Sequence, residues 1–255
     1  MGPKERLERT QWDFFWVPRD AEIVDRPELA ALRCARPVPY LNCVTRSRAT
    51  AAAWPELVAE VGAFHQYGLS RWLVPDTFDT RALEAALGAA GYAPTFRHDA
   101  RAVRPDEHRA RAGRADVEVR RVASLAELRA CVDVTSRAFG RPDLSDDIEL
   151  RRQLEQCSDP RGRVHRFVAY RRGEPISSGG LSWFPDLRFG FLWAGGTTPD
   201  ARGEGTYSAV VRARVEHARA LGAEWIGTYA LETTSSPVVA RQGFERVGAM
   251  AYWER

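Results

Sequence analysis

Arg202-Gly203-Glu204-Gly205 stands directly before the helix-forming run Thr206–Ala223. That spacing supplies what a phosphate group needs. A helix N-terminus leaves unpaired backbone N–H groups and carries partial positive charge. Glycines let the main chain approach a ligand without Cβ interference, and an arginine adds a charged fork. The stretch therefore reads as an anion cradle at a helix mouth, with a plain strand-to-helix turn as the competing reading. Within the helix, Val211, Val215 and Ala218 share one face, and Arg212, Glu216 and Arg219 another, the pattern of an ordinary half-buried helix. Other chemistry-bearing residues are scattered. Cys34, Cys43, Cys131 and Cys157 form no C-x-x-C pair and have no histidine at ligand spacing, so they read as reduced core thiols and no metal site is expected. His217 reads as a surface residue, and His65 and His165 show no partner pattern.

The chain around these residues has 255 residues, enough for one large or two small domains. It is 44% hydrophobic and 28% charged, with a net charge of +3 from 37 basic and 34 acidic residues. That balance allows a sizeable core and argues against nucleic acid as a partner. No apolar run approaches the ~20 residues of a membrane helix, and the N-terminus shows neither a secretory apolar run nor a myristoylation pattern, since Arg6 stands where a serine or threonine is required. A soluble, cytoplasmic protein, monomeric or homodimeric and without a membrane partner, is expected.

The polar stretch Arg104–Asp116 reads as a linker, dividing the chain into residues 1–105 and 116–255. In the second part, Val117–Ala123 alternates like a strand. Ser124 and Glu127 then form a capping-box pattern ahead of a helix that ends at Gly140. A second helix is expected over 143–158, and three strands over 164–198 with turns near Gly173 and Pro185. The cradle, its helix, a strand over 224–232, a short helix over 235–243 and a last strand follow. The order is β-α-α-β-β-β-α-β-α-β. The first part offers strand-helix-strand-helix-strand, repeating the last five of these elements, and an internal duplication is the favoured reading. The aromatic "WDFFWVP" stretch reads as an edge strand or as packed across the domain seam.

On these residues the second part resembles the GCN5-related N-acetyltransferase (GNAT) family. "TTPDARGEGTYSAVVRARVEHARALGA", followed by a strand and "SSPVVARQGFERVG", fits that family's R/Q-x-x-G-x-G/A signature at Arg202 and Gly205. Tyr207 stands where the family has a small residue. The first part has no glycine loop: its equivalent stretch is "VTRSRATAAAWPELV". The resemblance implies an α/β (α+β) fold, with a mixed, mostly antiparallel sheet flanked by helices and preceded by a partial, degenerate second unit of the same kind.

It further implies acetyl-CoA as acyl donor and, as acceptor, a primary amine of a small molecule or peptide. By resemblance, Arg202, Gly203, Glu204, Gly205, Thr206 and Tyr207 would hold the pyrophosphate, and Gly196, Thr197 and Thr198 the pantetheine arm, with Ser236 completing the cofactor set. A backbone N–H on the fourth strand would face the oxyanion, and Gly195-Gly196 would form a bulge there. Glu232 is the expected base, with Asp186 a weaker choice. The family's acidic tyrosine is missing, because Val239 occupies its place; Tyr207, Tyr229 or a water would substitute. Trp183 and Trp193 are expected in the core rather than in an acceptor cleft. A non-catalytic CoA-binding protein is the alternative from another class, and an aminoacyl-tRNA-dependent transferase a third.

Overall fold

The computed structural model describes residues 1–36, 38–66, 68–109, 116–140 and 146–255. The chain divides into two compact units. The first holds Met1–Ala100, Ala230–Ser236 and Arg246–Arg255; the second holds Arg101–Tyr229 and Pro237–Glu245.

The first unit opens with α1 (Pro3–Arg9) and a hairpin of β1 (Glu22–Arg26) and β2 (Leu29–Arg33). The WDFFWVP stretch is not a strand: its first residue ends a short 3-10 turn, and the rest is turn and irregular chain. Next come β3 (Cys43–Ser47), α2 (Trp54–Phe64), β4 (Arg71–Pro75), α3 (Arg81–Ala89) and β5 (Ala93–Val103). The strand order is β1-β2-β3-β4, then β11 (Glu245–Glu254), then β5. β3 and β4 are parallel, the other described pairs antiparallel. The apolar stripe of α2 (Trp54, Leu57, Val58, Val61) and Leu83 and Leu87 of α3 pack with Val44, Trp72 and Val74, as helical and strand periodicity require.

The closing strand β11 thus joins this unit instead of following the linear cut at 105–116. Its registered partner is β4, with Glu254 opposite Arg71 and Met250 opposite Pro75. Ala251 and Trp253 pack on the unit's apolar core, and Arg71 Nε donates to Glu254 Oε1 at 2.6 Å. Of the expected linker, residues 110–115 lie outside the described residues; Arg109 N–H donates to the Gln242 carbonyl at 2.9 Å, so the described end is held in place.

The chain from residue 116 onward follows the predicted element order, with Ala230–Ser236 and the last strand belonging to the first unit and the rest to the second. β6 (Val117–Arg121) leads into α4 (Leu125–Phe139), whose Ser124–Glu127 capping box is present in full and whose end is Gly140 at φ +63°. After α5 (Asp147–Ser158) come β7 (Val164–Arg171), β8 (Glu174–Phe184), β9 (Phe189–Thr197), α6 (Thr206–Ala220), β10 (Trp225–Leu231) and α7 (Ser235–Ala240). The β7–β8 turn is Arg172-Gly173, both at positive φ, as a two-residue hairpin demands. The strand order is β10-β9-β8-β7-β6, antiparallel except for β9–β10. α4 and α6 pack on opposite faces. Ser178 reaches Thr135 of α4, whereas a Cβ on its neighbour Gly179 would stand 2.7 Å from Arg214 of α6.

Candidate active site

The cradle is built at the junction of β9 and α6. After β9 the chain makes a 3-10 turn over Pro199–Ala201 and passes extended through Arg202. Gly203 and Gly205 then take φ +80° and +81°, and Gly205 caps α6. Both need the left-handed conformation that side chains resist, and no atom lies within 4 Å of where either Cβ would stand. The helix mouth therefore opens onto free space. The Thr206 hydroxyl, on the first residue of α6, has no hydrogen-bond partner although the residue is only 2% exposed. An orphaned buried donor beside open helix amides fits an anionic ligand.

The loop is fixed from three sides. Arg202 donates from Nε to the Thr197 carbonyl at 3.3 Å and from Nη2 to the Ala138 carbonyl at 3.0 Å. Its guanidinium thus ties the loop to β9 and to the end of α4. Glu204 forms an ion pair with Arg171. Thr198 N–H donates to the Ile176 carbonyl at 2.9 Å, and Thr197 Oγ1 meets Ser177 Oγ at 2.9 Å. Gly196 is a glycine because α4 passes close: a Cβ there would come within 2.8 Å of Ala138 Cβ.

The strands beside the loop separate. The parallel pairing runs from Phe189–Trp225 to Phe191–Gly227 and no further among the described residues, while β9 continues to Thr197. A strand whose parallel neighbour has left keeps backbone N–H and C=O groups that need partners. β9 also carries a bulge. Ser178 faces Gly196 and Gly180 faces Trp193, so Ala194 and Gly195 together oppose Gly179. Ala194 has φ +45°, a strain on the order of 1 kcal/mol for a residue with a side chain. The sequence places the irregularity at Gly195-Gly196; the bulge itself lies one residue earlier.

Beneath the bulge lie Tyr207 and Arg214, both on α6. The Arg214 guanidinium carbon is 5.8 Å from the Tyr207 ring centre. A Cβ on Gly195 would stand 2.7 Å from the Tyr207 ring and 2.9 Å from its hydroxyl. Arg214 is 1% exposed, and desolvation drives its pKa below the ordinary arginine value. The sequence carries a signal of it: Arg214 sits three residues from Val211 and four from Ala218, a charge on the apolar stripe of the helix.

The remaining expected residues are dispersed. Glu232 lies in the first unit, exposed in the turn after β10, its N–H donating to the Arg97 carbonyl at 3.2 Å. Ser236 is also in the first unit, buried, with its hydroxyl on Asp99 Oδ2 at 2.5 Å, where Arg246 Nε adds a second bond to Oδ1 at 2.6 Å. Asp186 is exposed in the turn after β8. Trp183 is buried, while Trp193 is half-buried, donates from Nε1 to Ser182 at 3.0 Å and stacks under Arg166. Val239 is 0% exposed, a core side chain of α7.

The histidines do have partners, which no local pattern reveals. His217 is half-buried, and its Nε2 meets Nδ1 of buried His165 at 3.2 Å, while His165 Nε2 donates to the Gly162 carbonyl at 2.9 Å. His65 bonds Ser70 and the Leu32 carbonyl. All four cysteines are free and buried, and among the described residues no cluster of metal ligands occurs.

Comparison with known proteins agrees with this geometry. Residues 128–246, from within α4 to the start of β11, match the family model for the acetyltransferase (GNAT) family. A GCN5-related N-acetyltransferase from Kribbella flavida superposes over 100% of this chain and 96% of its own, with TM-score 0.76 at 16% identity. A tandem GNAT protein from the clavulanic acid biosynthesis pathway superposes over 98% of this chain and 87% of its own, with TM-score 0.61 at 14% identity. A GCN5-related N-acetyltransferase from Sphaerobacter thermophilus gives TM-score 0.66 at 14% identity, over 92% and 75%. At these identities the likeness is one of fold. Comparison with curated proteins finds no match. Among the described residues, no helix is long and apolar enough to cross a membrane.

Proposed function

We propose that the protein is an acyl-CoA-dependent N-acyltransferase that takes an acetyl group from acetyl-CoA and delivers it to a primary amine of a small molecule or peptide. The observation that carries this reading is the open helix mouth at Gly203–Tyr207 beside a parallel strand pair that separates. A pyrophosphate fits the helix amides, and the orphaned Thr206 hydroxyl adds a donor. The free edge of β9, from the bulge to Thr198, suits the amide-bearing pantetheine arm. Arg202 serves the phosphate indirectly, by holding the loop in shape. When bound, acetyl-CoA supplies the activated acyl group. This chain's contribution is to present a backbone N–H at the bulge to the thioester oxygen and the Tyr207 hydroxyl as proton donor to the leaving sulfur. Glu232 is the proposed base.

The buried Val239 favours one other reading, a CoA-binding protein without turnover. Thiol release on mixing with acetyl-CoA and a panel of polyamines, amino sugars, aminoglycosides and peptide N-termini separates the two. Amine-dependent release supports the transferase. Tight binding with no release on any amine supports the silent protein.

A further inference from the structure

Arg214 is a fully buried arginine whose hydrogen bonds go to backbone oxygens. Nε donates to the Val210 carbonyl at 3.2 Å, and Nη1 to the carbonyls of Gly180 at 3.1 Å and Trp193 at 3.4 Å. Nη2 makes no hydrogen bond of ordinary geometry, and the Tyr207 side chain beside it is its polar neighbour. No ion pair joins Arg214 to a carboxylate among the described residues. A buried charge without a counter-ion is costly, and an apolar residue of similar length would avoid that cost. The surroundings are nevertheless shaped to admit it. Cβ atoms on Gly179 and Gly195 would stand 2.7 Å from its Cζ and 3.2 Å from Nη2. The two carbonyls bound by Nη1 belong to Trp193, immediately before the bulge residues Ala194 and Gly195, and to Gly180, its registered partner on β8.

We infer that Arg214 is a positioning residue. Its guanidinium clamps both strands at the root of the β9 bulge and puts an uncompensated positive charge beneath the bulge amides and beside Tyr207. The inference rests on the proposed acyl-CoA reading. A fixed positive charge under the amides that face the thioester oxygen strengthens their pull on it, and such pre-set charge is effective because the site does not reorganise during the reaction. The same charge favours negative charge on the departing sulfur. A residue kept only for packing would stabilise the fold. A residue kept for this charge costs the fold something, and the two roles predict opposite signs.

The test is Arg214→Met, which keeps length and removes charge, with Arg214→Lys, which keeps charge and loses the fork. Three quantities are read on each full-length protein: the thermal unfolding midpoint, acetyl-CoA affinity by calorimetry, and the carbonyl stretch of bound [1-13C]acetyl-CoA by infrared difference spectroscopy. Each of the three proteins has its own expected result. Wild type binds and lowers the carbonyl frequency. Arg214→Met unfolds at the same temperature or higher, binds within threefold of wild type, and returns the band toward its free position. Arg214→Lys gives an intermediate band. A lower midpoint or failure to fold in Arg214→Met makes Arg214 a structural anchor and overturns the inference. So does an unshifted band in a folded, binding variant. Absence of acetyl-CoA binding by folded wild type instead overturns the acyl-CoA reading, and this inference with it.

Discussion

The His165–His217 pair makes the second unit sensitive to mild acid. His165 is 0% exposed, and burial, helped by the neighbouring His217, drives its pKa from the ordinary 6.5 to about 4. His217 is shifted down as well, by burial and by Arg121. The facing charges are Arg121, which opposes protonation, and Asp159, which weakly favours it. With Nε2–H of His165 on the Gly162 carbonyl, its Nδ1 accepts from His217, and a proton placed there would set donor against donor. The sign follows from linkage. Below pH 6.5 the unfolded chain takes up a proton that the folded chain refuses until about pH 4, so stability is complete above about pH 7 and falls between 6.5 and 4. At ~1.4 kcal/mol per pH unit, His165 alone contributes about 2 kcal/mol of loss between pH 7 and pH 5. His165→Gln keeps a hydrogen-bonding group and removes the titration. Urea unfolding followed by tryptophan fluorescence at pH 7, 6 and 5 reads the difference. The variant should lose about 2 kcal/mol less than wild type over that range, and identical losses in both proteins would refute the argument.

Three further outcomes are expected. Gly205→Ala, at φ +81° and facing open space, should cost about 1 kcal/mol of stability from backbone strain alone, seen as a small fall in melting temperature. Its acetyl-CoA affinity should fall more than tenfold, because the methyl enters the space assigned to phosphate; equal affinity would show that space to be empty of ligand. Ser124→Ala removes half of the α4 capping box and should cost about 1 kcal/mol in chemical denaturation, without changing acetyl-CoA affinity. Glu232→Gln should leave acetyl-CoA binding intact and lower the amine-dependent rate by on the order of 100-fold, and an unchanged rate would remove Glu232 from the chemistry.

What the sequence discloses here is local. The Ser124–Glu127 box and the Arg172-Gly173 hairpin each rest on residues within a few positions of one another, and each is present as read; the two glycines before α6 likewise form a left-handed loop at its mouth. The order of elements in the second part follows from their periodicity. Long-range partnerships are another matter. β11 takes its place beside β4, some 180 positions earlier in the chain, so the unit boundary cannot follow a linear cut. The His165–His217 pair joins β7 to α6, and neither residue announces the other. Ser236 meets Asp99, 137 positions earlier in the chain, through its hydroxyl. Arg214 is the instructive case. Its place on the apolar stripe is legible in the helical spacing, whereas its carbonyl partners Gly180 and Trp193 lie on other strands, 34 and 21 positions away.

The central claim is that Gly203–Tyr207 cradles the pyrophosphate of acetyl-CoA. The direct measurement is calorimetric titration of the protein with acetyl-CoA, beside the Arg202→Glu/Gly205→Val double variant shown by circular dichroism to be folded. The account predicts micromolar binding by wild type and none by the variant. Equal binding by both proteins, or none by a folded wild type, would contradict it and leave the glycines as a turn.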